Sequence, residues 1–297
     1  MKILLLGANG QVGHELIRSL RPLGEIVATT RSGVLNGEDC EIADFDQPDS
    51  LPALIDRVSP DIVVNAAAYT AVDRAEDEPD AAFRTNAESP GRLAEACAGS
   101  GALLLHYSTD YVFDGESDRP YREEDATGPL GVYGRSKLAG ERAIQGSGCS
   151  HLIFRTAWVY GSYGANFMRT MLRVGSERDE LRVVADQHGT PTPARLIADV
   201  SASVLQDQPM RSGLWHLTAA GETSWHGFAE EIFRQSAARG LIDRIPSVVP
   251  IPTSEYPTHA QRPRYSCLDT RRLGEGFGIR LPDWKQALTQ VLDTSPR

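Results

Sequence analysis

The chain has 297 residues, with 30 Lys+Arg against 40 Asp+Glu and a formal net charge of −10. An apolar fraction of 41% and a charged fraction of 24% exclude a disordered chain and leave room for one large or two modest domains. The acidic balance excludes long-range attraction to nucleic acid or anionic lipid, and Cys40, Cys97, Cys149 and Cys267 form neither a C-x-x-C pair nor a disulfide framework.

The N-terminal run Lys2 to Gly7 is too short for a signal peptide, and no stretch approaches the roughly 18–20 apolar residues of a membrane span. A cytoplasmic location without a membrane partner is the expectation. Ile3 to Leu6, Glu25 to Thr29, Asp61 to Val64, Ala102 to Leu105 and Leu152 to Phe154 read as strands. They lack polar alternation, as strands buried on both faces of a parallel sheet do. Between them, Val12, Leu16, Ile17 and Leu20 share one helical face, and Asp80 to Ala98 reads as a second helix. Strand, helix, strand at this spacing implies right-handed crossovers, and so an α/β, Rossmann-like, doubly wound parallel sheet. Beyond residue 160 the pattern loosens, with helices near 164–175, 194–206 and 225–237 and strands near 181–184 and 214–218. Pro246, Pro250, Pro252, Pro257 and Pro263 mark an ordered but irregular loop. We expect a cofactor-binding domain over 1–160. A smaller mixed α/β substrate lobe follows over 161–297, some of whose segments return to the first sheet.

Gly7-Ala8-Asn9-Gly10-Gln11-Val12-Gly13 follows the first strand and opens the first helix. Glycines here permit a tight turn, close approach of backbone to a pyrophosphate and close helix–strand packing, while the helix N-terminus supplies free N–H groups. The second strand ends Thr29-Thr30-Arg31-Ser32, without the acidic residue that would accept from a free ribose 2′-hydroxyl. A guanidinium there suits a 2′-phosphate, so NADPH is expected, with NADH as a weaker substitute.

Tyr133 and Lys137 lie at i and i+4 in a stretch that opens a helix, so their side chains share a face. A ketone reduction needs a proton for the oxygen, and an ammonium near a phenol favours the phenolate. Ser108 and Thr109 follow the fourth strand, where a hydroxyl can hydrogen-bond a developing alkoxide. Asn65-Ala66-Ala67-Ala68 ends the third strand with small side chains in the same crevice.

These features resemble the extended short-chain dehydrogenase/reductases. Asn65 to Asp73 (NAAAYTAVD), Tyr107 to Asp114 (YSTDYVFD), Val132 to Glu141 (VYGRSKLAGE) and Phe154 to Tyr160 (FRTAWVY) narrow the resemblance to the dTDP-4-dehydrorhamnose reductases. It continues through Asp186 to Thr192 and Arg262-Pro263 to Leu281-Pro282-Asp283-Trp284, and so covers nearly the whole chain. The resemblance implies NADPH-dependent reduction of the 4-keto group of dTDP-4-dehydro-L-rhamnose. By motif, Thr109 orients the keto oxygen, Tyr133 donates the proton, and Lys137 holds the nicotinamide ribose while tuning Tyr133. Asp44 and Phe45 would meet the adenine, and Ala66, Ala67 and Ala68 the nicotinamide half. Tyr69, Thr70, Asp110, Tyr111 and Trp158 would face the sugar; Arg262 and Arg264, in the Pro-rich loop, are placed either to reach the diphosphate or to lie at the surface.

Two other readings remain open from the residues: a non-catalytic regulatory subunit of the methionine adenosyltransferase type, and a nucleotide-sugar epimerase or dehydratase. Some relatives are thought to dimerise through magnesium held by acids. Here Arg195 stands where the resemblance would put one, so no structural metal is expected, and monomer and homodimer both stay open.

Overall fold

The computed structural model describes residues 1–207 and 212–294. Its centre is a seven-stranded sheet of β1 (Lys2–Leu6), β2 (Glu25–Thr30), β3 (Glu41–Ile42), β4 (Ile62–Asn65), β5 (Leu103–Thr109), β6 (His151–Thr156) and β7 (Gly213–His216). The order is β7-β6-β5-β4-β1-β2-β3 and every neighbouring pair is parallel. The order reverses at β1 beside β4, which opens a crevice outside the carboxyl ends of those strands, where ligands bind in such sheets.

The described helices of eight or more residues are α1 (Gln11–Leu20), α2 (Leu51–Val58), α3 (Ser89–Ser100), α4 (Val132–Gly146), α5 (Phe167–Glu177), α6 (Ala194–Asp207), α7 (Trp225–Ala238) and α8 (Trp284–Thr294). Alternate strand residues point to opposite faces, and both faces are apolar. Ile3, Leu5, Val64, Leu105 and Phe154 pack with Leu16 and Leu20 of α1 and Ile197 and Leu205 of α6. Leu4, Leu6, Val63, Leu104 and Ile153 pack with Leu54, Ile55, Leu93, Cys97 and Ile144 of α2, α3 and α4. This double burial explains the unbroken hydrophobic runs of the sequence.

The helix expected over Asp80 to Ala98 is interrupted. A short helix, Pro79–Phe83, runs into a π-helical turn, Arg84–Glu88, before α3 begins. That turn frees Asn86, which accepts from Tyr69 N–H (2.9 Å) and donates to Tyr69 O and Ser136 Oγ (both 3.0 Å). Helix α4 packs hard against it, since a Cβ on Gly140 would lie 2.1 Å from Asn86 O. At the other end of α4, a Cβ on Gly134 would lie 2.2 Å from Tyr111 O. Both glycines are needed to bring Tyr133 and Lys137 down onto β5.

A second core gathers Tyr160, Phe228, Trp284 and Leu288 among α5, α7 and α8. The Pro-rich stretch departs from the expected irregular loop, because Ser247–Ile251 forms a strand parallel to Glu180–Val184 with Pro250 opposite Val183. In a two-stranded ribbon both strands are edges, so the missing N–H of Pro250 need not break a ladder. None of the described helices is long and apolar enough to cross a membrane.

Candidate active site

The crevice holds a cleft of about 460 Å³ lined by Gly7, Gly10, Gln11, Val12, Arg31, Phe45, Ala66, Ala67, Ala68, Thr70, Tyr133 and Lys137. Gly7 has φ +76°, and a Cβ on it would lie 2.7 Å from Ala67 N. A Cβ on Gly13 would lie 2.1 Å from Gly7 O, so the turn closes only with glycine at both positions. Gly10 caps α1 with no side-chain hydrogen bond, which leaves the first-turn N–H groups to face a ligand. A glycine cradle, an uncapped helix start and a shelf of alanines fit a dinucleotide. A larger hollow of about 740 Å³ beside β3, with Glu38, Asp39, Glu41 and Arg57 on its wall, brings no catalytic groups together.

Arg31 stands two-thirds exposed at the far end of the cleft, 3.7 Å from Asp44 and 3.3 Å from Asp46. Asp44 therefore meets the cleft through Arg31. Its Oδ1 also accepts from Asp46 N–H at 3.0 Å.

Thr109 ends β5, and its Oγ1 donates to Asp110 Oδ1 (3.0 Å) and accepts from Tyr111 N–H (3.2 Å). Burial pushes the Tyr133 phenol up to about 12, the Thr109 hydroxyl pulls it down and the Asp110 charge adds to the rise. Asp110 itself is raised to about 6, because burial outweighs its hydrogen bonds, and its Oδ2 is buried without a partner. Lys137 is 2% exposed and donates to Tyr107 O at 2.6 Å, with His106 Nε2 at 3.3 Å. Burial lowers Lys137 to about 8 against the opposing pull of Glu141. The expectation that the ammonium lowers the phenol is thus not what governs Tyr133 in this structure; desolvation dominates, and Lys137 is directed at β5.

Beneath these groups Glu141 accepts from Ser108 Oγ (2.5 Å), Arg155 Nε (2.9 Å) and Arg155 Nη2 (2.7 Å). This buried bridge ties α4 to β5 and β6 behind the catalytic positions.

On the substrate side, Tyr111 meets the Tyr133 ring edge-on at 5.7 Å. Trp158 is half-buried, stacks on Trp225 at 3.5 Å, and has φ +47°, a costly backbone conformation for a bulky residue. A second hollow of about 210 Å³ is lined by Phe167, Met171, Trp225, Tyr256, Arg182 and Arg262. Arg262 is held there by a two-pronged bond to Asp73 (3.0 and 2.8 Å). Tyr69 is turned away: its hydroxyl donates to Glu78 (2.7 Å) and accepts from Arg74 (2.9 Å) on the outer surface.

A family model described as RmlD substrate binding domain matches residues 1–296. The chain belongs to that family. A dTDP-4-dehydrorhamnose reductase of Burkholderia thailandensis is 49% identical over 300 residues, covering 97% of each chain. The protein of that name from Escherichia coli K12 is 45% identical over 99% of this chain and 97% of its own. Among solved structures, a dTDP-4-dehydrorhamnose reductase of Clostridium acetobutylicum superposes with a TM-score of 0.90 at 38% identity, covering 99% of both chains. One from Bacillus anthracis, in complex with NADP, gives 0.89 at 33% identity and the same coverage. As an RmlD-family member the chain shares the fold of these solved relatives, of which the Bacillus anthracis protein is the one solved with NADP.

Reading the sequence missed several residues of the site. Thr85, Thr156, Tyr163, Gly164 and Ala165 line the cleft, and Tyr163 stacks on His14 at 4.2 Å. In the second hollow, Phe167 and Met171 of α5 come together with Trp225 and Tyr256, which lie far from them in sequence and carry no local signal. Glu141 and Arg155 do stand inside conspicuous motifs, which is where a buried charge pair could have been sought. Glu15 of α1 and Asp199 of α6 are both engaged by Arg18 (3.6 and 2.5 Å), and Asp199 also by Arg195 (3.8 Å). Among the described residues no group of three or more His, Cys, Asp or Glu could hold a metal ion.

Proposed function

We propose that the protein is an NADPH-dependent reductase converting the 4-keto group of dTDP-4-dehydro-L-rhamnose to the alcohol of dTDP-L-rhamnose. The observation that carries the reading is the convergence of Thr109, Tyr133 and Lys137 beside a dinucleotide cradle. The chain's full-length likeness to proteins named for this reaction supports it. That likeness also supports the reductase over the regulatory-subunit and epimerase or dehydratase readings. The UDP-glucose 4-epimerase of Thermus thermophilus, at 18% identity, shares the fold alone.

A bound nicotinamide cofactor supplies the hydride. The chain's residues manage the proton and the geometry. Thr109 orients the keto oxygen, and Tyr133, protonated throughout the neutral range, gives its phenolic proton to the oxygen as charge develops there. Lys137 holds the nicotinamide ribose. The N-terminus of α1 with Gln11 and Val12 receives the pyrophosphate, Phe45 and Asp44 flank the adenine, and Arg31 pairs with the 2′-phosphate that distinguishes NADPH. Asp110, Tyr111 and Trp158 hold the sugar. Phe167, Trp225 and Tyr256 offer the thymine an aromatic wall, with Arg182 and Arg262 near its diphosphate. The described residues beyond 160, apart from α6 and β7, which return to the central sheet, supply most of the lobe that meets the sugar nucleotide.

The test is to incubate the protein with dTDP-4-dehydro-L-rhamnose and NADPH and follow absorbance at the nicotinamide band. Turnover is expected for wild type, with a loss of at least a hundredfold in kcat for Tyr133→Phe, the scale of general-acid catalysis. Absent wild-type turnover, or an undiminished Tyr133→Phe, rejects the reading.

A further inference from the structure

His106 is fully buried beneath the cleft, and the reaction above gives it no task. Its neighbours fix its proton. Asn65 and His106 are paired across β4 and β5. Asn65 Oδ1 accepts from Ala67 N–H at 3.1 Å, which orients the amide, so Nδ2 donates to His106 Nδ1 at 3.0 Å. Burial, the larger cause, holds the imidazole well below the usual histidine range, so it is neutral. With the Nδ1 lone pair occupied, its single proton is assigned by this network to Nε2. That N–H faces Lys137 Nζ at 3.3 Å.

An ammonium has three donors and no acceptor, whereas a neutral amine has one lone pair. The chain of bonds Ala67 → Asn65 → His106 → Lys137 therefore closes without conflict only when Lys137 is an amine. The remaining contact, Tyr107 O at 2.6 Å, accepts from either form. Glu141, one turn along α4, favours the ammonium, but its charge is matched by Arg155 from β6. Tyr133 shares α4, and Asp110 lies past the end of β5 beside it.

We propose that Asn65 and His106 are positioning residues that set the protonation of Lys137, by presenting the imidazole Nε2–H to its Nζ. The lysine is then a titrating group instead of a fixed positive charge. The kinetic consequence rests on the reductase reading; the protonation itself belongs to the protein alone. The lowered position of Lys137, about 8, agrees with the geometry.

The sequence makes the experiment direct, because it contains three lysines, Lys2, Lys137 and Lys285. Protein labelled with ¹³C-lysine, without added nucleotide, gives three Cε signals, and Lys2→Arg and Lys285→Arg assign them. Lys137 is expected to titrate with a midpoint near 8. His106→Leu removes the opposing donor and should raise that midpoint by at least one pH unit, a tenfold change. His106→Gln should restore the wild-type value, because its amide can accept from Asn65 and donate to Lys137. If His106→Leu does not fold, Asn65→Asp carries the same expectation of a rise. A carboxylate only accepts, so it draws the imidazole proton to Nδ1 and turns the Nε2 lone pair towards Lys137. The alkaline limb of kcat/KM for the keto sugar should move with the NMR midpoint. A wild-type midpoint at the ordinary value of about 10.4, or one unmoved in the folded variants, overturns the proposal. Wild type that titrates as expected yet reduces no keto sugar rejects the reductase reading instead.

Discussion

Replacing Arg155 with Met would leave the Glu141 carboxylate stranded under the active site. The two side chains are 5% and 2% exposed and joined by two hydrogen bonds of 2.9 and 2.7 Å. Arg155 also lies over the Phe113 ring at 5.0 Å. After the change Glu141 keeps only Ser108 Oγ among these partners. Breaking a buried pair from one side costs about 3–5 kcal/mol, because the remaining buried charge loses its hydrogen-bonded counter-ion. At roughly 2–4 °C per kcal/mol for a chain of this size class, the melting temperature should fall by about 10 °C. Removing both charges, in Glu141→Leu with Arg155→Met, should cost at least 2 kcal/mol less than the sum of the single changes. Urea denaturation of the four proteins at neutral pH measures this coupling. Glu141 also steadies Ser108, next to Thr109, so the folded Arg155→Met protein should show a lower kcat with little change in the KM for NADPH. An Arg155→Met variant within 1 kcal/mol of wild type, or single costs that simply add, would refute the argument.

The two carboxylates around Arg31 compete with a 2′-phosphate for the same guanidinium. Arg31→Ala should raise the KM for NADPH by about 10–100-fold, a charge-assisted contact of about 1.5–3 kcal/mol, and leave that for NADH within about threefold. Steady-state kinetics with both cofactors decides this, and an unchanged ratio would sink the assignment. Asp110 is an acid whose folded value, about 6, lies above the 3.8 of the free group. Its charge therefore opposes folding above that window and has no effect below it. Asp110→Asn should gain about 3 kcal/mol at pH 8 and nothing near pH 3.5, so a gain that persists in acid contradicts the reasoning. A Cβ on Gly189 would lie 2.4 Å from the Trp158 indole. Gly189→Ala should raise the KM for the sugar nucleotide about tenfold while sparing that for NADPH; equal effects on both would show that Trp158 does not shape the sugar side.

The parallel sheet was legible because its strands are covered on both faces, so Ile3–Leu6 and Ile62–Val64 could not be polar on either side. The cradle was legible for a similar reason: only glycine fits where Gly7 and Gly13 press on neighbouring backbone. Thr109, Tyr133 and Lys137 could be chosen by residue type and spacing, since an i, i+4 pair shares a face whatever else the chain does. Spacing carries no information on what a side chain meets across the fold. Lys137 is turned to Tyr107 O and His106 because Gly140 seats α4 against Asn86, which a π-helical turn frees. The pairing of Arg262 with Asp73 and the stacking of Trp158 on Trp225 join residues that no local pattern connects. Burial then sets the charges: Tyr133 goes up, Lys137 comes down and Asp110 is held near 6, because the cost of losing water depends on everything packed around a group. Residue chemistry and periodicity determined the scaffold and the reactive groups by themselves. Tertiary packing alone decided their partners and their protonation.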